Sequence, residues 1–219
     1  MPSVMRKYIV NSQKKTRTMT SKHTTPNDLA FIDFVKQECK MHGIKFDLRP
    51  TTYVRQGKIS CSGWFSEDNA ELVVATKKPD YLEILAHEYA HLTQWREDSP
   101  LWEVGIEGIT KVEEWLQGKE VKNIEKYMAA IRDLELDNEK RTVRLIKKWG
   151  LSIDPAGYTQ RANAYIHFYN WMLHTRKWSK PKNAPYKNSH VLGAMSKRFN
   201  MQYKQLTPRV YAAFEAGKI

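Results

Sequence analysis

The chain has 219 residues, 36 Lys+Arg against 24 Asp+Glu, and a formal net charge of +12. With 41% hydrophobic and 11% aromatic residues, it is too apolar for a disordered chain and long enough to bury a real core. No stretch approaches the ~18 consecutive apolar residues of a membrane helix, and the basic N-terminal residues hold no apolar block of the signal-peptide kind. A transmembrane protein is excluded and secretion by that route is not expected.

The two cysteines, Cys39 and Cys61, fit free thiols of a reducing compartment better than a disulfide framework, so the expected location is intracellular. The positive charge sits at the two ends. Residues 1–25 carry six basic and no acidic side chains, and residues 151–219 carry eleven basic ones against only Asp154 and Glu215. Net charge of this kind informs on association rather than on fold.

In chain order, residues 1–25 read as a basic, Thr/Lys-rich arm. Thr25-Pro26-Asn27-Asp28 looks like a helix start, and Leu29, Ile32, Phe34, Val35 and Cys39 supply an amphipathic helix that ends at Gly43. β-like runs follow at 44–49, 51–56, 58–65 and 71–76, separated by Pro50, Gly57 and the turn-like Ser66-Glu67-Asp68-Asn69. Asp80 with Glu83 three residues later suggests a capping box and a helix over 81–97. Further helical patterns run at about 102–117, 120–149 and 156–178. Residues 181–219, with Pro181, Pro185 and Pro208, promise loops and a short helix, in a basic C-terminal extension packed on or trailing a domain that spans 26–180.

The helix at 81–97 carries His87-Glu88-Tyr89-Ala90-His91, the His-Glu-x-x-His pattern. Residues four apart on a helix lie only ~40° apart around its axis, so both imidazoles can meet one Zn2+ ion while Glu88 reaches the attacking water. By residue frequencies, a random chain of this length and composition holds such a pattern only ~1–2% of the time. The bland alternative is an exposed helix with two chance histidines. Against it, Leu82, Leu85, Tyr89 and Leu92 form one apolar stripe, and Ile84, His87 and His91 form a second on the other side. A helix buried on two sides is expected, one face on the sheet and the other on a cleft.

Catalytic zinc takes three protein ligands and keeps one open position. On the helix at 120–149, Val121, Ile124, Met128, Ile131, Ile146 and Trp149 fall within about 40° of Glu135, and Glu139 shares that sector. Two carboxylates in an apolar stripe are costly to bury without a cation or strong hydrogen bonds. One assignment makes Glu135 the third ligand and Glu139 the acceptor that orients a ligand histidine through its other ring nitrogen; the reverse stays open. Glu113 and Glu114 compete from the edge of a shorter stripe. A buried salt bridge from this pair to Arg141, Arg144 or another basic residue would remove the need for a metal. Asp137 points to the other side.

Together, His87-Glu88-Tyr89-Ala90-His91, Glu135-Leu136-Asp137-Asn138-Glu139-Lys140-Arg141 and the run Tyr158 to Tyr169 resemble metallopeptidases encoded by tailed bacteriophages, over roughly residues 70–180. His-Glu-x-x-His followed by Glu-x-x-x-Glu is also similar to the gluzincin pattern, whose later motif often ends in Asp where this chain has Glu139. The resemblance implies an α+β, zincin-like fold: a small, mostly antiparallel sheet packed on the His-Glu-x-x-His helix and followed by a helical region. It also implies a zinc-dependent peptidase, in the host cytoplasm if the chain is phage-encoded.

In that frame Glu88 is the general base, and a donor such as Tyr165 or His167 stabilises the oxyanion formed when a carbonyl is attacked. Aromatic residues at helical spacing are more often core, and His174 is no better a candidate. The strand around Leu72–Thr76 would pair along its edge with an extended peptide or protein substrate. A second reading gives the basic ends the main role. Arg176-Lys177-Trp178-Ser179-Lys180-Pro181-Lys182 and Lys197-Arg198-Phe199 offer cations and stacking rings to nucleic acid, beside a structural or vestigial zinc site. The plainer account of those ends is a solvated basic surface.

Overall fold

A computed structural model of the chain describes residues 24–57, 59–199 and 202–219. The expected N-terminal arm, apart from Thr24 and Thr25, lies outside the described residues, as does Lys58 within the third expected strand. Among the described residues the architecture is α+β and mostly helical.

The first helix, α1 (Pro26–Met41), begins with a reciprocal capping box. The Thr25 hydroxyl accepts from the Asp28 amide at 3.2 Å, and the Asp28 carboxylate accepts from the Thr25 amide at 2.8 Å. Asp28 also accepts from the amide and hydroxyl of Ser152, which ties the start of α1 to the turn far along the chain. At Gly43 φ is +69°, a left-handed conformation that glycine adopts without a Cβ clash, and the chain then enters β1 (Lys45–Arg49).

Four more short strands follow: β2 (Val54–Gln56), β3 (Ile59–Cys61), β4 (Gly63–Ser66) and β5 (Glu71–Ala75). They form two small sheets rather than the mostly antiparallel one expected. β2 and β3 pair as an antiparallel hairpin, whereas the three-stranded sheet is mixed, ordered β1-β5-β4, with β1 parallel and β4 antiparallel to β5. The expected run over 58–65 is therefore divided between two sheets, with the break at Ser62, whose carbonyl accepts from the Ala75 amide. A further correction concerns the substrate edge. β5 lies in the centre, with both its ladders occupied, so Leu72–Ala75 cannot add a strand; β4 is an outer strand of this sheet.

α2 (Tyr81–Arg96) packs between this sheet and the helices. Asp80 makes no side-chain cap, because its φ of −97° and ψ of 11° depart from the extended geometry a capping box needs, and Glu83 instead bonds Arg161 at 2.7 Å. Twelve of the sixteen α2 residues are buried, so both of its predicted stripes are covered. β4 comes close at Gly63, where a Cβ would stand 2.8 Å from the Ile84 side chain.

α3 (Pro100–Leu116) and α4 (Ile124–Trp149) form an antiparallel pair, close enough at Gly105 that a Cβ there would lie 2.4 Å from the Leu134 side chain. α5 (Pro155–Thr175) follows, capped by Asp154, and two 3-10 turns lead to α6 (Ser189–Ala194) and α7 (Pro208–Ala216). Residues beyond 180 thus contain two short helices, and they pack back on α5.

One apolar core joins α1, the sheet, α2 and the middle of α4. A second joins α5 to α6, α7 and the early part of α4. Cys39 and Cys61 are free and buried, and burial pushes both thiols up to about 12. No described helix is long and apolar enough to cross a membrane.

Candidate metal centre

His87 and His91 lie one turn apart on α2 with their Nε2 atoms 3.2 Å apart and their ring planes at 85°. Glu135 on α4 places Oε2 3.8 Å from His87 Nε2 and Oε1 3.9 Å from His91 Nε2. All three are buried, and one donor atom from each lies within 4.8 Å of the others, so this group can hold a metal ion. Donors around a tetrahedral ion with bonds of about 2.0–2.1 Å stand about 3.3 Å apart. The histidine pair is at that spacing, and the carboxylate oxygens lie only about half an ångström farther out. Among the described residues no other such group occurs.

The hydrogen bonds behind the imidazoles decide which nitrogen is available. Gln94, one turn beyond His91 and fully buried, donates from Nε2 to the Leu134 carbonyl at 3.0 Å and to Asp137 Oδ2 at 2.8 Å. With both amide hydrogens engaged, its Oε1 faces His91 Nδ1 at 2.8 Å and can only accept. His91 therefore carries its proton on Nδ1 and presents the bare Nε2 lone pair to the triad.

Around His87, Glu139 Oε1 lies 3.5 Å from Nδ1, and the Asn138 amide stands 2.9 Å from Nδ1 and 3.2 Å from Nε2, beside the ring edge between them. Asn138 Oδ1 has no hydrogen-bond partner as the amide is oriented. With the amide turned the other way, that acceptor would meet Nδ1–H, the arrangement in which His87 would offer the Nε2 lone pair to a metal. The Tyr158 hydroxyl bonds the other oxygen of Glu139. Glu139 thus stands behind His87, outside the converging triad.

Glu88 is buried on α2 next to His87 in the chain, and its Oε2 accepts from the backbone amide of Phe65 on β4 at 3.0 Å, which holds the carboxylate against an outer strand. Arg141, weighed as a salt-bridge partner for the α4 carboxylates, bonds Asp137, Glu97 and Thr93, and Arg144 is exposed. Glu114 lies near the end of α3, paired with Lys111 and Lys119.

Tyr165 is buried in the second core, where it accepts from the Tyr169 hydroxyl at 2.8 Å and meets Tyr186 edge-on. His167 is buried near Arg132; burial, and secondarily the Arg132 cation, push its pKa down to about 4. His174 sits at the exposed end of α5, 3.1 Å from the Tyr211 hydroxyl. The stretch from Tyr158 to Tyr169 is the packed middle of α5.

Sequence reasoning missed Gln94, Asn138 and the Phe65 amide, and set Asp137 aside. The spacing of Gln94 three residues after His91 was the one available signal, since it puts both on one helix face.

The basic, aromatic stretch after α5 is also partly consumed by the fold. Arg176 donates to the carbonyls of Trp115 and Lys119 at the end of α3, Trp178 packs edge-on against Phe168, and Phe199 joins the first core. Lys177, Lys180, Lys182, Lys197 and Arg198 remain exposed.

Comparison with known protein families, with characterised proteins and with solved structures finds no match to this chain.

Proposed function

We propose that the chain is a zinc-dependent metallopeptidase, of the kind its motif resembles. The observation that carries this reading is the convergence of His87 Nε2, His91 Nε2 and a Glu135 oxygen, with Gln94 directing the His91 lone pair inward. Two imidazoles and one carboxylate suit zinc, and three ligands leave a fourth position for a reactant. Zinc held there would supply Lewis acidity, which polarises a carbonyl and makes water nucleophilic near neutral pH.

The remaining steps belong to the side chains. Glu88, anchored by the Phe65 amide, takes a proton from the attacking water and passes it to the leaving amine. Glu135 would neutralise part of the cation's charge. Gln94 keeps His91 in one orientation, as Glu139 and Asn138 do for His87. All four central side chains are buried, so a polypeptide reaches them only when their surroundings open.

Glu88→Gln should retain metal and lose peptide hydrolysis by at least ~100-fold, measured by elemental analysis beside a fluorogenic peptide assay. Equal turnover in the variant would end this mechanism. A nucleic-acid role for the basic ends is the second reading. Among the described residues it rests on exposed cations such as Lys177, Lys180, Lys182, Lys197 and Arg198, because Trp178 and Phe199 are half-buried against the cores, so it predicts weak, steeply salt-dependent, sequence-blind binding.

A further inference from the structure

On the outer side of α2 and α3 lies a cavity of about 680 Å³, lined by Trp95, Trp102, Val104 and Ile106 and by the carboxylates of Glu67, Asp98, Glu103 and Glu107. That volume lies within the roughly 300–1,000 Å³ of ligand pockets. The cavity adjoins the metal centre. The Trp102 ring, which walls it, lies 6.1 Å from the His91 ring. Trp102 and Trp95 both pack on Phe65, the residue whose amide holds Glu88.

The charge of this cavity runs against that of the molecule. The chain carries a net +12, yet four carboxylates gather here with one lysine, Lys111, and that lysine is paired with Glu114 at 3.2 Å. Among the described residues none of the four forms an ion pair. Glu103 and Glu107 stand four residues apart on α3, a spacing at which like charges repel along one helix face. Trp95 and Trp102 share the lining with these carboxylates, and the Trp102 indole is held in place by donating to Glu67 at 2.8 Å. A lining of carboxylates and indoles suits a long side chain with an apolar stem and a cationic head, which gains both ion pairing and a cation–π contact.

We propose that this cavity is the subsite that receives a lysine or arginine side chain of the polypeptide substrate. The proposal rests on the metallopeptidase reading and names the substrate class: peptides with a basic residue close to the bond that is cut. Trp102 stands between the subsite and His91, so the peptide backbone would pass over this ring.

The test uses the full chain as zinc-loaded Glu88→Gln, which binds without cutting, and acetylated, amidated pentapeptides Ala-Ala-X-Ala-Ala with X as Arg, Lys, norleucine or Glu. Affinity is read by calorimetry. The Arg and Lys peptides should bind about tenfold more tightly than the norleucine peptide, a gain of about 1.4 kcal/mol, and the Glu peptide more weakly still. Adding Glu103→Gln with Glu107→Gln should remove most of that preference. Asp33→Asn with Glu125→Gln, which takes the same charge from surfaces outside the cavity, should keep it.

Equal binding of Arg and norleucine peptides, or a preference untouched by the Glu103 and Glu107 changes, would overturn the subsite. Digestion of a mixed peptide library by the wild-type zinc form separates the two ideas. Cleavage without basic preference removes the subsite and keeps the peptidase, whereas no cleavage alongside selective binding keeps the basic-residue pocket and removes the peptidase.

Discussion

The α2–α4 layer and the α5–α7 layer both bury or half-bury many polar side chains, and they use them in opposite ways. Around α5–α7 the amides address irregular backbone. Asn163 donates to the Ser196 and Arg198 carbonyls, Asn170 to the Tyr203 carbonyl, and Asn183 to the carbonyls of Gly217 and Lys218. These side chains substitute for the secondary structure that the loops lack. In the α2–α4 layer the same residue types address imidazoles, as Gln94 does for His91 and Asn138 for His87, and their effect converges on one small volume. Burial of polar groups therefore does not by itself mark a candidate metal site here; what marks it is convergence of lone pairs on a point.

That contrast can be broken at either end. The largest expected effect is on metal content: His87→Ala and Glu135→Ala should each drop zinc from about one ion per chain toward zero by elemental analysis, since three ligands are the fewest that hold it firmly. Glu139→Ala should keep most of the metal. A Glu139 variant that loses zinc while Glu135→Ala retains it would exchange the roles of the two carboxylates.

Gln94→Ala should weaken zinc affinity by about 10–100-fold in a chelator competition, the usual cost of losing an outer partner of a ligand histidine. Unchanged affinity would mean that His91 is oriented by packing alone.

His167 tests the second layer through pH. Its folded pKa of about 4 lies below its ordinary value near 6.5, so its neutral burial contributes stability that is present above about pH 6.5 and is lost as pH falls toward 4. At pH 5 that loss is about 2 kcal/mol. In urea unfolding at pH 7 and pH 5, His167→Gln should lose correspondingly less stability between the two than wild type; an identical loss would show that His167 does not titrate in this range.

The smallest effect is expected for Asn163→Ala, about 1–2 kcal/mol in the same unfolding assay with metal affinity unchanged. A loss of zinc in that variant would show that the two layers are coupled after all.

Much of the site was legible because it depends on local helix geometry. His87, Glu88 and His91 are set by a spacing of one turn, and the buried sector containing Glu135 and Glu139 follows from the 3.6-residue period of α4. Helix ends were partly legible. The start at Thr25-Pro26-Asn27-Asp28 and the turn at Gly43 are local, whereas Asp80 lacks its predicted cap because the backbone before α2 takes another course. Strand partners were not legible. The β-like run 58–65 gives no sign that Ser62 divides two sheets, or that β5 would be central, because pairing joins residues distant along the chain.

The sequence by itself determined the His-Glu-x-x-His face, the apolar stripes and the excess of positive charge at the ends, since these rest on residue identity and helical period. Only the tertiary structure decided that Glu135 rather than Glu139 joins the triad, that Gln94 directs the His91 lone pair, and that four carboxylates and Trp102 line one cavity. Each of those outcomes depends on distances between elements that the chain brings together through packing, and no local pattern encodes such distances.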